Sequence, residues 1–314
     1  MRIPRIKCSG TVFATLSALE GSCCGIPVLL RDGRSHIDLK VYISSDMEGS
    51  TGVVSAEQVM YGKPGYEFGR RMQLHDTLAA VSAALKWGAE SVTVNDSHDR
   101  MINLDVSMFP RGVTLISGTP KILGMVEGVS GHDAAIFIGY HAMAGTEKAI
   151  LDHTYSSKVV YGFKVNGIKL GETGLNALFC GALDVPVSMV AGDKAVCLEA
   201  SSLLGETLVT CALKDGLGRN AALTKTPDET SALLSEAVKK ALDAAAEGKS
   251  PVLKMEAPYK AELTFHTTAQ ADAAGLVPGS ERVSGRTMVF TTEDIFEIRR
   301  WCSSSIDCAS LAGY

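Results

Sequence analysis

The stretch Lys40-Val-Tyr-Ile-Ser-Ser-Asp-Met-Glu48 joins the first strong strand pattern of the chain to two carboxylates that follow it directly. The same plan recurs twice. Ser91-Val-Thr-Val-Asn-Asp-Ser-His98 ends in polar residues, and Ala134-Ala-Ile-Phe-Ile-Gly-Tyr-His141 ends in His after a continuous apolar run. Such a run is typical of a strand covered on both faces. Because parallel strands end at one edge of a sheet, we expect these polar groups to meet there.

Helical patterns separate the predicted strands. Between Tyr66 and Trp87 apolar residues recur at helical spacing, and Gly88 follows as a stop signal. A strand pattern at residues 186–190 precedes a helical pattern from about Lys194 to Leu204. This alternation predicts an α/β fold with a mainly parallel, layered sheet.

The pattern changes after residue 225. A long helix is predicted from Asp228 to Glu247, followed by strands that include the segment from Val252 to Phe265. We therefore predict an α/β metal-binding catalytic domain over residues 39–225 and a smaller C-terminal α+β lobe over residues 226–314.

The composition argues against several classes of protein. The 314 residues carry a net charge of -5 without a basic stripe interleaved with aromatics, so no nucleic-acid partner is expected. No run of 18 or more apolar residues is present, so no membrane-spanning helix is predicted. The eight cysteines include no C-x-x-C pair, which favours reduced thiols and a cytoplasmic location.

The polar residues after the strands match metal chemistry. Asp46 and Glu48 repel each other unless a cation neutralises them. Together with His98 and His141 they form a nitrogen and oxygen ligand set suited to Zn²⁺, with Mn²⁺ or Co²⁺ as other occupants. Glu172, at a helix start, supplies a fifth ligand. Five ligands exceed the three of a single catalytic zinc, so two metals sharing a carboxylate fit better.

Each of these residues also has an ordinary structural interpretation. An acidic residue after a strand is often a helix cap or turn former, and a lone histidine is often only hydrogen-bonded. Convergence on one edge favours the metal hypothesis. The remaining histidines are interpreted as structural: His75 lies in the long predicted helix next to Asp76, and His36, His132 and His266 have no clustered acidic partners.

Five runs of sequence resemble a known family. They occur in order between about Lys40 and Arg300: Ser45-Asp-Met-Glu-Gly49, Val94-Asn-Asp-Ser-His98, Gly139-Tyr-His-Ala142, Asp152-His153 and Gly171-Glu-Thr-Gly-Leu-Asn176. They resemble the bacterial zinc D-aminopeptidases encoded with dipeptide-transport genes.

The resemblance implies two zinc ions per subunit. In the implied arrangement Asp46 bridges both ions. Glu48 and His141 complete one site, and His98 and Glu172 complete the other.

The resemblance also implies a reaction and an assembly. His153 is implied as the catalytic residue, although it follows no clear strand and the residue pattern alone does not select it. The implied substrates are short peptides with an N-terminal D-amino acid, such as D-Ala-D-Ala. The implied assembly is a homo-oligomer, a ring-shaped decamer with active sites facing an inner channel.

Members of the family usually begin at the strand that carries the first metal motif, whereas 38 residues precede Leu39 here. Residues 1–38 are therefore predicted to be an extension of doubtful authenticity, produced by a wrongly chosen start.

Two other functions use similar residues. A binuclear metal phosphoesterase needs the same ligand types, but the sequence has no Gly-rich phosphate loop or Arg/Lys cluster beside the ligands. A non-catalytic, metal-dependent dipeptide-binding protein would bind without forming product. For the aminopeptidase, Asp193 is a candidate acceptor for the substrate amine.

Overall fold

The computed structural model describes residues 38–312 of the chain. Its strands, in chain order, are β1 Lys40–Ser45, β2 Ser91–Asp96, β3 Val113–Ile116, β4 Ala134–Tyr140, β5 Val160–Val165, β6 Ile168–Lys169, β7 Val187–Asp193, β8 Val209–Gly218, β9 Ala221–Thr224, β10 Tyr259–Phe265, β11 Glu281–Arg282 and β12 Thr287–Thr292. Its α-helices are α1 Ala56–Val59, α2 Tyr66–Trp87, α3 Glu172–Ala182, α4 Lys194–Leu204, α5 Pro227–Ala246, α6 Thr268–Ala274 and α7 Ile295–Ser310.

The strands of this described part form two sheets. A seven-stranded sheet has the order β3-β2-β1-β4-β7-β8-β9, and its pairings are parallel except that of β9 with β8. A five-stranded antiparallel sheet has the order β11-β12-β10-β5-β6. The predicted fold class, α/β with a mainly parallel sheet, is confirmed.

Both faces of the parallel sheet are covered. On one face, Ile43 belongs to a buried core that includes Val81 of α2 and Val238 of α5. On the other face, Tyr42 and Phe137 belong to a second core, which α3, α4, α7 and the five-stranded sheet also enter. Because side chains within the central strands are buried on both faces, the carboxyl ends of the strands are left for ligands.

The predicted boundary at 225 does not separate the two sheets together with the helices that cover them. The hairpin of β5 and β6 precedes the boundary but belongs to the five-stranded sheet, whereas α5 follows it but packs on α2 and the parallel sheet. The division into a domain over residues 39–225 and a lobe over residues 226–314 remains a prediction. The predicted extension lies outside the described residues except for Asp38.

The helix and strand bounds predicted from local sequence patterns are partly confirmed. The helix from Tyr66 to Trp87 ends as predicted at Gly88, whose φ of 106° lies in the left-handed region. The predicted strand from Val252 is wrong in its first half, because β10 begins only at Tyr259. Strands β8 and β9 were not predicted, since apolar residues alternate there with Lys214, neighbouring charges and glycines.

Within residues 38–312, no helix combines the length and the apolar character needed to cross a membrane.

Candidate metal centre

Backbone hydrogen bonds bring three strand ends together at the carboxyl edge of the parallel sheet. Strand β1 lies between β2 and β4. The Ser97 N–H donates to the Ser45 carbonyl oxygen at 2.8 Å, and the Asp46 N–H donates to the Ile138 carbonyl oxygen at 2.8 Å. The pairing therefore continues past the strands, and the side chains that follow start from one edge.

Two glycines let the loop after β1 touch the end of β4. The Gly49 N–H donates to the Gly139 carbonyl oxygen at 2.7 Å. A Cβ on Gly49 would lie 1.9 Å from the Tyr140 carbonyl oxygen, and one on Gly139 would lie 2.2 Å from that of Asp46. Gly139 also has a φ of 72°, which favours glycine. Side chains at these positions would push the loop and its carboxylates away from β4.

The edge carries a cluster of three carboxylates and three imidazoles: Asp46, Glu48, His98, His141, His153 and Glu172. His98 Nδ1 lies 3.2 Å from Asp46 Oδ1 and 3.0 Å from Glu48 Oε2. His141 Nε2 lies 3.6 Å from Asp46 Oδ2 and 3.5 Å from Glu172 Oε1. Asp46 therefore lies between two halves of the cluster.

His153 completes the second half. Its ring stacks on that of His141, with centroids 4.0 Å apart and planes 7° apart. His153 Nε2 lies 3.7 Å from Glu172 Oε1 and 4.0 Å from Glu48 Oε1. The opposite ring nitrogen, Nδ1, lies 2.8 Å from the Leu151 carbonyl oxygen and donates to it, so the Nε2 lone pair faces the cluster.

Backbone carbonyls orient the other two imidazoles in the same way. His98 Nε2 lies 2.7 Å from the Val59 carbonyl oxygen, and His141 Nδ1 lies 3.1 Å from that of Ala142. When these nitrogens donate, the remaining nitrogen of each ring points its lone pair at the carboxylates. Metal-binding histidines are commonly held by a second hydrogen bond of this kind.

The electrostatics of the cluster call for added positive charge. Burial and the charge of Glu48 raise the pKa of Asp46 to about 7. Burial alone would lower the pKa of His98, but Glu48 and Asp46 raise it well above its ordinary value. Burial alone would also lower the pKa of His141, but the charge of Glu172 outweighs burial and raises this pKa well above its ordinary value. Protons or metal cations must balance the buried carboxylates.

His153 behaves differently from its neighbours. Burial and the charge of His141 lower its pKa below the ordinary value of 6.5, despite the nearby carboxylates. This imidazole is therefore neutral near pH 7 and able to accept a proton.

The carboxylate that lies between the two halves has an oxygen without a hydrogen-bond donor. Asp46 Oδ2 is buried and accepts no hydrogen bond. A buried carboxylate oxygen without a donor is costly, and a metal ion satisfies it. Oxygen and imidazole donors at this spacing fit Zn²⁺. A cavity of about 590 Å³ opens onto the cluster and includes Tyr61, Arg100 and Arg299 in its wall.

Comparison with known proteins identifies the family. The model of the D-aminopeptidase family, peptidase family M55, matches residues 39–304. The chain belongs to the D-aminopeptidase family. A D-aminopeptidase of Bacillus subtilis (strain 168) is 36% identical over 263 residues, which cover 82% of this chain and 93% of that protein.

A solved structure from the D-aminopeptidase family has the same fold. It is the Zn-dependent D-aminopeptidase DppA from Bacillus subtilis, described as a self-compartmentalizing protease. It matches with a TM-score of 0.84 and 34% sequence identity, covering 88% of this chain and 100% of that one. The predicted family and the predicted enzyme class, a metallo-aminopeptidase, are confirmed.

The structure of this D-aminopeptidase family member brings all six predicted site residues together. The amine-acceptor hypothesis for Asp193 does not fit, because its buried carboxylate caps α4 through the Val196 N–H and accepts the Ile150 N–H at 2.7 Å. His75 and His132 lie outside the cluster and form other hydrogen bonds.

Sequence reasoning missed Lys214 of β8. Its fully buried ammonium donates to the carbonyl oxygens of Glu48 at 2.6 Å, Ser50 at 2.7 Å and Val53 at 2.5 Å. Lys214 therefore holds the loop that carries the first two carboxylates. The only sequence feature that could have indicated this role is a lysine placed among apolar residues of a strand.

Proposed function

We propose that this protein is a zinc aminopeptidase that binds two zinc ions per chain and removes the N-terminal residue from short peptides that begin with a D-amino acid, of the D-Ala-D-Ala type. The observation that carries the proposal is the position of Asp46. Its carboxylate lies between two imidazole–carboxylate pairs, and its Oδ2 accepts no hydrogen bond. Family membership supports the metal and the reaction.

Asp46 would bridge the two ions. The shortest contacts favour Glu48 with His98 in one site and His141 with Glu172 in the other. This pairing differs from the one implied by the sequence resemblance. Strand topology does not choose between the two pairings, because β1 pairs with both β2 and β4. Ligand atoms of Asp46, Glu48 and His141 also lie within 4.8 Å of one another, so the alternative pairing keeps a geometric basis.

The chemistry requires a proton carrier beside the metal centre. When bound, a pair of zinc ions lowers the pKa of water and polarises a peptide carbonyl. His153 Nε2 accepts the proton of the attacking water and passes it to the leaving amine. Its hydrogen bond to the Leu151 carbonyl oxygen fixes the required tautomer, and its lowered pKa keeps it neutral near pH 7.

We also propose that the protein forms a homo-oligomer, with the ring of ten implied by the resemblance as its form. The Bacillus subtilis relative is described as self-compartmentalizing. Apolar side chains on the segment between β2 and β4 are 52–70% exposed and offer surface for a subunit contact: Ile102, Val106, Met108 and Ile122. Light scattering of the native protein checks this, and a monomer would contradict it. The cytoplasmic location remains a prediction.

One set of assays separates the proposed function from its rivals. Zinc is measured per chain in purified protein, and product release is followed with D-Ala-D-Ala, L-Ala-L-Ala and p-nitrophenyl phosphate. We expect about two zinc ions per chain, and faster product release from D-Ala-D-Ala than from the other two substrates. Turnover of the phosphate ester alone would indicate a phosphoesterase, and stoichiometric dipeptide binding without product would indicate a binding protein.

A further inference from the structure

A second cavity lies directly beyond His153. It has a volume of about 700 Å³ and shares His153, Ser157 and Arg219 with the cavity that opens onto the metal centre. Because His153 lines both cavities, the second one begins beside the group that protonates the leaving amine in the proposed reaction. It is therefore placed to receive the part of a peptide that follows the cleaved bond.

Strand β5 forms one wall of this cavity and leaves room for a ligand. Phe163 and Val165 are buried in the core, while Gly162 and Lys164 alternate with them along the strand. A Cβ added to Gly162 would meet no atom within 4 Å. The absence of a side chain at Gly162 therefore leaves free space in the wall beside Lys164.

The charge of the lining is basic. Lys164, Lys169 and Arg219 line the cavity, and Asp152 is its one acidic residue in the described part of the chain. Asp152 already pairs with Arg219, with 3.0 Å between its Oδ1 and the Arg219 Nε. Lys169 Nζ donates to the Ala144 carbonyl oxygen at 2.9 Å. Lys164 is exposed and lies opposite Glu262 of β10, whose Oε1 is 3.7 Å from Lys260 Nζ. Among residues 38–312 no acidic group lies within ion-pair distance of Lys164.

The second cavity differs from the first in having no cluster of carboxylates. The metal-centre cavity contains the buried carboxylates Asp46, Glu48 and Glu172, whose charge the proposed zinc ions would balance, and has Arg100 and Arg299 in its wall. The second cavity has Lys164 and Lys169 in its lining against one carboxylate, which is already paired. A peptide carries its C-terminal carboxylate on the leaving-group side of the cleaved bond, and complementary charge on that side fixes the direction in which a ligand binds.

We propose that this second cavity binds the carboxylate-bearing C-terminal part of the peptide, with Lys164 as the principal contact to the carboxylate. The inference rests on the proposed aminopeptidase function and adds the recognition of a free C-terminus. A volume of about 700 Å³ holds more than one residue, so peptides somewhat longer than a dipeptide also fit. Hydrogen bonds between an ammonium and a carboxylate are among the stronger ones in proteins.

The test compares three substrates on the zinc-loaded enzyme. D-Ala-D-Ala carries the carboxylate, D-Ala-D-Ala amide replaces it by a neutral group, and D-alaninamide has nothing to place in the second cavity. We expect kcat/KM for the free acid to exceed that for the dipeptide amide by about 10- to 100-fold, since a hydrogen bond to a charged group contributes on this scale. Hydrolysis of D-alaninamide reports the aminopeptidase function by itself.

Variants then locate the contact. Lys164→Met should remove the preference for the free acid by raising its KM, without changing turnover of D-alaninamide, and Lys164→Arg should restore most of the preference. Gly162→Val should weaken both dipeptide substrates but not D-alaninamide. Lys240→Met removes another exposed lysine, on α5 and outside both cavities, and should leave all three rates unchanged.

The outcomes distinguish the two proposals. If D-alaninamide is hydrolysed, but Lys164→Met leaves the ratio of acid to amide unchanged and Gly162→Val leaves the rates of both dipeptide substrates unchanged, the inference is overturned and the aminopeptidase function stands. If wild-type protein hydrolyses none of the three substrates, the proposed function fails and this inference fails with it.

Discussion

The two halves of the metal centre are built in different ways. Asp46, Glu48 and His98 follow two neighbouring strands of one sheet, and the pairing of β1 with β2 brings these strand ends side by side. The other half combines His141 after β4, His153 in a loop and Glu172 at the start of α3, with the β5–β6 hairpin of the second sheet between the last two. The first half depends on strand register, whereas the second depends on how a loop packs.

The loop of the second half is held by several specific contacts. Leu151 and Tyr155 have positive φ values of 50° and 58° on either side of His153. The Tyr155 N–H donates to Glu172 Oε1 at 2.6 Å, and the Ile150 N–H donates to Asp193 Oδ2. Non-glycine residues adopt this conformation only when surrounding contacts impose it. The position of His153 is therefore a tertiary property.

Substitution of the carboxylate shared by both halves should have the largest effect. Asp46→Ala is expected to lower zinc content from about two ions to less than one per chain and kcat/KM by more than about 10³-fold, because both halves lose a ligand. Zinc analysis and D-alanine release measure the two effects.

His98→Ala is the matched comparison for Asp46→Ala. Because its ring contacts only the first half, this variant should keep about one zinc ion per chain. Equal zinc loss in both variants would show that the halves do not bind metal separately.

The proton carrier should be separable from metal binding. His153→Ala is expected to keep both zinc ions and lower kcat by about 10²- to 10³-fold, since general acid–base catalysis contributes on this scale. His132→Ala, which removes a histidine outside both cavities, is the control and should keep kcat within about twofold. Full activity of His153→Ala would remove His153 from the mechanism.

Lys214→Met should damage the first half selectively. The substitution leaves the carbonyl oxygens of Glu48, Ser50 and Val53 without their buried donor, so the free energy of unfolding should fall by about 2–3 kcal/mol. Zinc affinity should fall with it. Thermal and urea unfolding measure the change.

The control for Lys214→Met is Lys194→Met, which removes only an exposed ion pair with Asp215. Its free energy of unfolding should stay within about 0.5 kcal/mol of the wild-type value. If the two variants unfold alike, the loop does not depend on Lys214.

The stabilisation by zinc should increase with pH. In the zinc-free cluster the pKa values of His98 and His141 are raised, and that of Asp46 is raised to about 7. The stability that protonation of these groups gives is present at low pH and is lost as pH rises through their folded pKa values. Zinc needs the deprotonated groups, so it competes with protons less as pH rises.

The expected gain in apparent zinc affinity between pH 6 and 8 is about tenfold per pH unit for each proton released. Glu48 and Glu172 do not contribute, because their lowered pKa values keep them charged throughout this range. Melting temperatures with and without zinc at pH 6, 7 and 8 provide the measurement. A shift that does not change with pH would show that the cluster binds zinc without releasing protons.

Much of the fold and most of the site followed from local patterns. The continuous apolar run that became β4 and the helical spacing that became α2 were interpreted correctly, since burial dictates residue type wherever an element is covered. The early end of β10 and the existence of β8 were not predictable in this way. Where a strand such as β8 mixes Lys214 and glycines with apolar residues, its pairing partners decide its conformation.

The sequence by itself determined that carboxylates and imidazoles follow three parallel strands, because the strand pattern and the parallel topology place them at one edge. Only the tertiary structure decided which imidazole faces which carboxylate, that His153 stacks on His141, and that Lys214 holds the first loop. These contacts join residues far apart in the chain, and no local periodicity encodes them. They depend on how the loops pack and on β8, whose Lys214 side chain reaches the loop after β1.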